Sequence, residues 1–282
     1  ERLSFKIDIF GNLFEQVAKF RAARKLWAKI LHDEFGARKP GTMQMKMIAG
    51  GGGGGLTIEQ PENNIVRGAY YALISALSGA QTMALCSYDE AYTIPTEKAA
   101  LISLRTMQIL VEEMGLCDTA DPLGGSYYIE WLTRELEKRI VAEMKRVDTE
   151  MGGIVRAVGE GAVQREVAHQ ALKFEKGLQD GSIPKVGVNR YRMDAPQEQR
   201  DVELHEYKHE QAEDAIRRTH AIRASRDAKA AAAALEKVRE AAANGQNVMP
   251  AMMEAVRAYA TLGEFTKTLK QVFGEFREPV RL

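Results

Sequence analysis

Six consecutive glycines, Gly50–Gly55, are the most unusual local feature of this chain. Ordering each glycine costs about 0.5–1 kcal/mol more than alanine, so the run costs on the order of 3–6 kcal/mol. That is a large part of a domain's net stability of roughly 5–15 kcal/mol. Bare backbone brings close approach in return: it can lie against a bulky or flat ligand and offer N–H groups. A flexible or engineered linker is the plainer alternative. The run satisfies GxGxxG at Gly50, Gly52 and Gly55, but a homopolymer matches many patterns. A phosphate-binding P-loop needs Lys–Ser/Thr after the last glycine, and Leu56–Thr57 stand there instead.

The segment from Gln81 to Glu90 (QTMALCSYDE) sets a tyrosine and two acids just past a strand-like run. Active sites of α/β barrels lie at such strand ends. Glu90 is therefore a candidate working carboxylate, with a helix cap or a surface charge as the plain alternative. The five histidines, His32, His169, His205, His209 and His220, fall in helical stretches or their connections, away from strand ends. His205 and His209 share one face of an expected helix but lack a third metal ligand. No GxSxG or Cys–His nucleophile arrangement occurs, and Cys117 reads as a small buried residue.

These groups need a frame. Leu3–Phe10, Met43–Ala49 and Gln81–Cys86 read as strands. Helices are expected over Leu13–Phe35, from Gln60 to Leu77 and from Thr96 to Met114. Alternation of this kind predicts a parallel sheet with crossover helices. Three units are too few to close a barrel and leave one sheet face bare, so upstream chain or another subunit must complete the sheet. Beyond residue 130 the pattern is helical: Tyr127–Met151, a hairpin-like region to Gly181, and a short extended VGVNRY at 186–191. A long helix then runs from Glu206 to Ala243, its thin apolar stripe suited to crossing a partner's surface. Two short helices broken at Leu262–Gly263 follow.

Composition narrows the classes. Lys+Arg and Asp+Glu are both 39 among 282 residues, so the formal net charge is zero. That gives no electrostatic case for nucleic acid or a membrane surface. No apolar run approaches the roughly 20 residues of a membrane helix. Two cysteines, Cys86 and Cys117, make no disulfide framework, which favours a reducing cytoplasm.

Several stretches resemble the large subunit of the adenosylcobalamin-dependent acyl-CoA mutases, the methylmalonyl-CoA mutase family. They are RLSF (2–5), AKFRAARKLWAKI (18–30), LTIEQPENNIVR (56–67), SYDEAYTIPTE (87–97), ADPLGGSYYIE (120–130), VGVNRY (186–191), AYATLGE (258–264) and FGEFREPVR (273–281). They follow the family's order across the whole chain. The resemblance implies the C-terminal part of a (β/α)8 TIM barrel over 1–130, with the CoA substrate on its axis and the corrin on its C-terminal face. It implies a helical extension over 131–282 that wraps a cobalamin-binding partner. The implied reaction is a radical 1,2 carbon-skeleton rearrangement of an acyl-CoA, with adenosylcobalamin as cofactor.

Carried over position by position, Arg2 and Ser4 match the RLS contact to CoA, and Gln81 a substrate-contacting glutamine. Glu90 matches the glutamate that bonds the adenosyl ribose. Ala91, Ile48, Gly50 and Gly53 fall on the cofactor side, Gly53 on the family's own glycine. Where the family commonly has His-x-Gln-Thr, this chain reads Ile48-Ala49-Gly50-Gly51. Where it commonly has Gln-Ser-Leu-His-Thr-Asn, the chain reads Gln81-Thr82-Met83-Ala84-Leu85-Cys86. Polar groups give way to apolar or small ones, which predicts a roomier, drier pocket for a bulkier acyl group. The rival reading is an impaired relative kept as a scaffold; a nucleotide-binding α/β domain built on the glycine run ranks third. No Asp-x-His-x-x-Gly occurs, so the cobalt ligand must come from a small cobalamin-binding subunit or another domain. An N-terminal barrel segment or chain, a second large subunit and a G-protein chaperone are further partners the resemblance implies.

Overall fold

The computed structural model describes residues 2–193 and 202–279, which form two compact units divided after His205. In the first unit the alternation of FKID sets Phe5 and Ile7 on one face of a strand and Lys6 and Asp8 on the other. This strand, β1 (Phe5–Asp8), feeds α1 (Leu13–Asp33), the one-turn α2 (Pro40–Met43), β2 (Met47–Gly51), α3 (Asn63–Leu77), β3 (Thr82–Leu85) and α4 (Glu97–Glu112). The strands are parallel in the order β1-β2-β3, with Lys6, Ile48 and Thr82 in one row and Asp8, Gly50 and Ala84 two residues further on.

One face of the sheet is closed. Ile9, Met47 and Ala49 pack with Val17 and Phe20 of α1 and Tyr71 and Ile74 of α3. Each fully buried large side chain there contributes about 1.5–3 kcal/mol. The opposite face leaves Lys6, Asp8, Ile48, Thr82 and Ala84 exposed. A parallel sheet is ordinarily covered on both sides, and here one is bare. Met43 stands in α2 rather than in a strand, because Pro40 opens a helical turn. β2 instead runs on through Gly50 and Gly51, so the glycine run begins inside the sheet.

Past α4, α5 (Tyr127–Glu150) lies against α1. Arg21 joins Asp121 and, at 2.6 Å, Glu130, while Lys25 meets Glu137 at 2.8 Å. These ion pairs tie the ADPLGGSYY turn, through Asp121, and α5, through Glu130 and Glu137, to α1, with Asp121 itself at φ 47°. Two further helices, α6 (Ile154–Gly159) and α7 (Ala162–Asp180), lead to the 186–191 segment. That segment is a loop with a single Val186–Arg190 bridge rather than a strand.

The second unit departs from the expected long helix. It forms α8 (His209–Ser225) and α9 (Ala228–Ala243), separated at Arg226 and Asp227. The Asp227 carboxylate caps the N–H groups of Lys229 and Ala230 at 2.9 Å, restarting the helix. His205 therefore precedes α8 and does not share a helix face with His209. The apolar stripe of α9 also lines a core of its own unit: Ala234 and Val238 pack on Ala255 of α10 (Met249–Arg257) and Phe265 of α11 (Leu262–Phe273). The break between these last helices lies at residues 258–261, because Thr261 and Glu264 form a capping box that places Leu262 and Gly263 inside α11.

Glu264 also takes two hydrogen bonds from Arg226, which holds its carboxyl far below the usual carboxylate range. A depressed carboxylate stabilises the fold above its unfolded pKa, about 4.3, and loses that contribution as pH falls toward the folded value. Thermal melts of the second unit should thus fall between pH 5 and pH 3, roughly, and E264Q should flatten that acid limb. An unchanged acid limb in E264Q would remove this account.

Candidate functional site

The glycine run ends β2 and turns over the C-terminal edge of the sheet. Gly51 is pressed between strands: a Cβ there would meet Ala84 O, Cys86 N and Leu85 Cα. Gly52 sits at φ 72°, where a side chain would strike Ile9 O at 2.5 Å and the Tyr71 ring at 2.6 Å. Gly55 lies directly on the Tyr71 hydroxyl, and Gly50 lies under Asp8. Four of the six glycines are therefore bare because protein packs against them. Only Gly53 and Gly54 face outward, and a Cβ on Gly54 would meet nothing within 4 Å. An apolar cleft of about 950 Å³, lined by Phe10, Val147, Met151, Val167 and Phe174, opens beside Gly54.

Glu90 stands at this edge, exposed, in the loop between β3 and α4. The next residue, Ala91, is half-buried beside it. Under them Asp89 is fully buried, its Oδ2 accepting from Thr96 N at 2.9 Å and Thr96 Oγ1 at 3.0 Å. Thr96 in turn caps α4 by accepting from Ala99 N, so Asp89 ties the loop to that cap, while Glu90 is exposed. Of two adjacent acids, Asp89 is bound into the fold and Glu90 is exposed.

Asn64 fastens this loop to the loop after β2. Its amide donates to Thr57 O at 2.8 Å and Tyr88 O at 3.0 Å, and its Oδ1 accepts from Thr57 N at 3.1 Å. Arg67 adds bonds to Asn64 Oδ1 and Thr57 Oγ1, both 2.7 Å, and to Val186 O at 2.8 Å. Lys185 donates to Gly55 O, and Gln60 to Tyr191 O at 3.1 Å. Burial lowers the pKa of Lys185, and Arg67 lowers it further. The LTIEQPENN, SYDE and VGVNRY stretches thus form one bonded rim. Asn64→Ala should cost about 1–3 kcal/mol, because buried partners lose their bonds. A urea midpoint shift at constant m-value would measure it; a shift below about 0.5 kcal/mol, the range of neutral surface changes, would refute the clamp.

Arg2, Ser4 and Gln81 lie at the other end of the strands. Gln81 accepts from Met47 N at 2.7 Å at the start of β2. Ser4 and Gln81, with Arg24, Lys46, Ile48 and Thr82, line a recess of about 700 Å³. Ile48 is the exposed β2 residue between the two ends, and Gly50 is buried on the same strand. The expected residues therefore divide between two ends joined by the bare face. Four to five strand residues at about 3.3 Å each separate them by roughly 13–17 Å.

Lys6 and Asp8 went unread in the sequence, and Cys86 was read only as a small replacement at a strand end. Lys6 and Asp8 project from the bare face, and their signal was available as charges at alternate positions of a strand. Cys86 lies at the C-terminal end of β3. Its thiol lies beside the Glu90 carboxylate and the Gly53 backbone. Burial, then Glu90, pushes that thiol up to about 12. Among the described residues no group of three or more His, Cys, Asp or Glu side chains forms a metal site. No helix there is long and apolar enough to cross a membrane.

Comparison with known proteins adds the following. The chain matches the family described as "Methylmalonyl-CoA mutase" over residues 1–275. It is 41% identical over 278 residues to the 2-hydroxyisobutanoyl-CoA mutase large subunit of Aquincola tertiaricarbonis, covering 98% of this chain and 49% of that one. It is 37% identical over 281 residues to methylmalonyl-CoA mutase of Cereibacter sphaeroides, covering 99% and 39%. With the Escherichia coli enzyme of the same name, identity is 36% over 280 residues, covering 99% and 38%. The chain spans half or less of the length of these relatives.

Proposed function

Because the chain belongs to the methylmalonyl-CoA mutase family, we propose that it contributes the last strand–helix units of a barrel, and the helical extension after them, to a coenzyme B12-dependent acyl-CoA mutase. Residues 1–130 serve the substrate and residues 131–282 the cobalamin-binding partner. The observation that carries this reading is the bare sheet face running between two recesses. An acyl-CoA laid along it places its polar arm by Arg2, Ser4 and Gln81 and its acyl end by Gly53 and Glu90. A guanidinium, a hydroxyl and an amide suit an oxygen-rich anionic arm.

Adenosylcobalamin, when bound, supplies the radical chemistry of the rearrangement. The described residues fit such a group: Gly53 and Gly54 offer a bare outward surface, and Glu90 an exposed acceptor for ribose hydroxyls. Ala91 would line it beside Glu90, with Ile48 and Gly50 below on the strand. The role of the rim built on Asn64 is to keep these donors and acceptors still and to exclude water on one side. The cobalt ligand comes from a small cobalamin-binding subunit or domain. An N-terminal barrel segment or chain completes the sheet, and a second large subunit and a G-protein chaperone are further partners. We assign the assembly to the cytoplasm.

Ile48 and Ala84 on the bare face favour an acyl group bulkier or more apolar than methylmalonyl. The relative named for a branched hydroxyacyl group supports that direction. Lys6 and Asp8 add charge to the same face, so the pocket is dry on its β2 and β3 side only. The glycine run gives little support to a nucleotide site, since four of its members face protein.

The test is to assemble the chain with an upstream barrel and a cobalamin subunit, supply branched and dicarboxylic acyl-CoAs, and follow skeletal isomerisation by mass spectrometry. Conversion of a branched acyl-CoA supports the reading. Intact assembly without conversion across the panel would instead mark a scaffold.

A further inference from the structure

Glu90 reaches the site from a loop, and a loop carboxylate must be held if its oxygens are to meet a ligand in one place. Its main chain is fixed by Glu90 N–H donating to Ser87 O at 3.1 Å, which leaves the side chain to be oriented by something else. The group that meets it is the Cys86 thiol, half-buried at the end of β3. A Cβ on Gly53 would lie 3.3 Å from Cys86 Sγ and 3.7 Å from Glu90 Oε1. Thiol, carboxylate and bare backbone thus converge from two loops on one point at the sheet's C-terminal edge.

We propose that Cys86 is a positioning residue for Glu90, its S–H holding the carboxylate beside Gly53 in the orientation that a ligand at the strand ends requires. Gly53 is bare so that this contact is not pushed apart. The role rests on reading Glu90 as the working carboxylate. A thiol can fill it only while protonated, and the surroundings keep it so: burial and Glu90 oppose ionisation, and the Gly53 N–H and then Lys6 favour it less strongly. Glu90 and Lys6 are the charged groups that act on the thiol. A serine hydroxyl can make the same donation, whereas alanine cannot.

The experiment uses the assembled protein. Cys86 is alkylated with iodoacetamide from pH 7 to 10 and quantified by peptide mass spectrometry, with Cys117, which is exposed and not buried as its sequence suggests, as internal reference. E90Q removes the neighbouring charge, so Cys86 should react about threefold to tenfold faster at pH 9 while Cys117 is unchanged; the thiolate is the reactive form. In turnover, C86A should lower kcat about tenfold at unchanged acyl-CoA KM, the scale of a small misplacement, and C86S should recover most of that loss. Unchanged Cys86 alkylation in E90Q would overturn the contact, as would full kcat in C86A beside a slow E90Q. Faster alkylation in E90Q with undiminished E90Q turnover would leave the contact standing and overturn the reading of Glu90.

Discussion

Replacing Gly52 with alanine should destabilise the protein by about 2–5 kcal/mol, the sum of a left-handed backbone penalty of roughly 1–2 kcal/mol and an overpacking cost of roughly 1–3 kcal/mol. The backbone there sits at φ 72°, and the added methyl would meet Ile9 O and the Tyr71 ring. Neither neighbour can yield cheaply. Ile9 is fully buried, and Tyr71 packs among the residues that join α3 to the sheet. Gly54→Ala is the control, since nothing stands within 4 Å of its Cβ. It should shift the urea midpoint little. Equal midpoints for the two variants would mean that the run is ordered by something other than close packing.

The second large effect is on chemistry. Under the function proposed above, Glu90→Ala should lower turnover of the assembled enzyme about 100-fold, the scale seen when one preorganised charged or polar contact to the reacting centre is removed. Because Glu90 is exposed and Asp89 is the acid that holds the α4 cap residue Thr96, stability should stay within about 0.5 kcal/mol. The converse holds for Asp89→Ala, which should unfold the loop before it tells anything about catalysis. Paired melting curves and kinetics separate the two acids. Unimpaired turnover in Glu90→Ala would remove Glu90 from the site.

Strands and crossover helices were legible because period-two and helical spacings are local. Phe5 and Ile7 alternate with Lys6 and Asp8, and Val17 and Phe20 recur on one side of α1. The end of β2 was not legible, since a glycine shows no alternation and its place is fixed by neighbours on both sides. The α8–α9 break was hidden in a stretch of strong helix formers. It depends on Asp227 capping and on Arg226 reaching Glu264 in a distant helix. Glu90 stood out through its place past a strand and through its match to the family's glutamate. The thiol that meets it stands only four residues earlier, yet was read as a small replacement, because spacing within a loop does not fix which side chains meet. Lys6 and Asp8 were legible in principle, yet apolar and small substitutions on β2 and β3 drew attention to a dry pocket.

The six glycines also differ in a way their shared chemistry conceals. A run of identical residues carries no landmark, so gaining or losing one member cannot be assigned to any position in it. What such a change alters is the count between two fixed anchors, the pairing of Ala49 with Met83 and the seat of Gly55 on Tyr71. A seven-glycine or five-glycine form would keep every residue type and still slide Gly53 away from Cys86 and Glu90. At this turn the chain specifies a length, and any one glycine is defined only by how far it stands from each end.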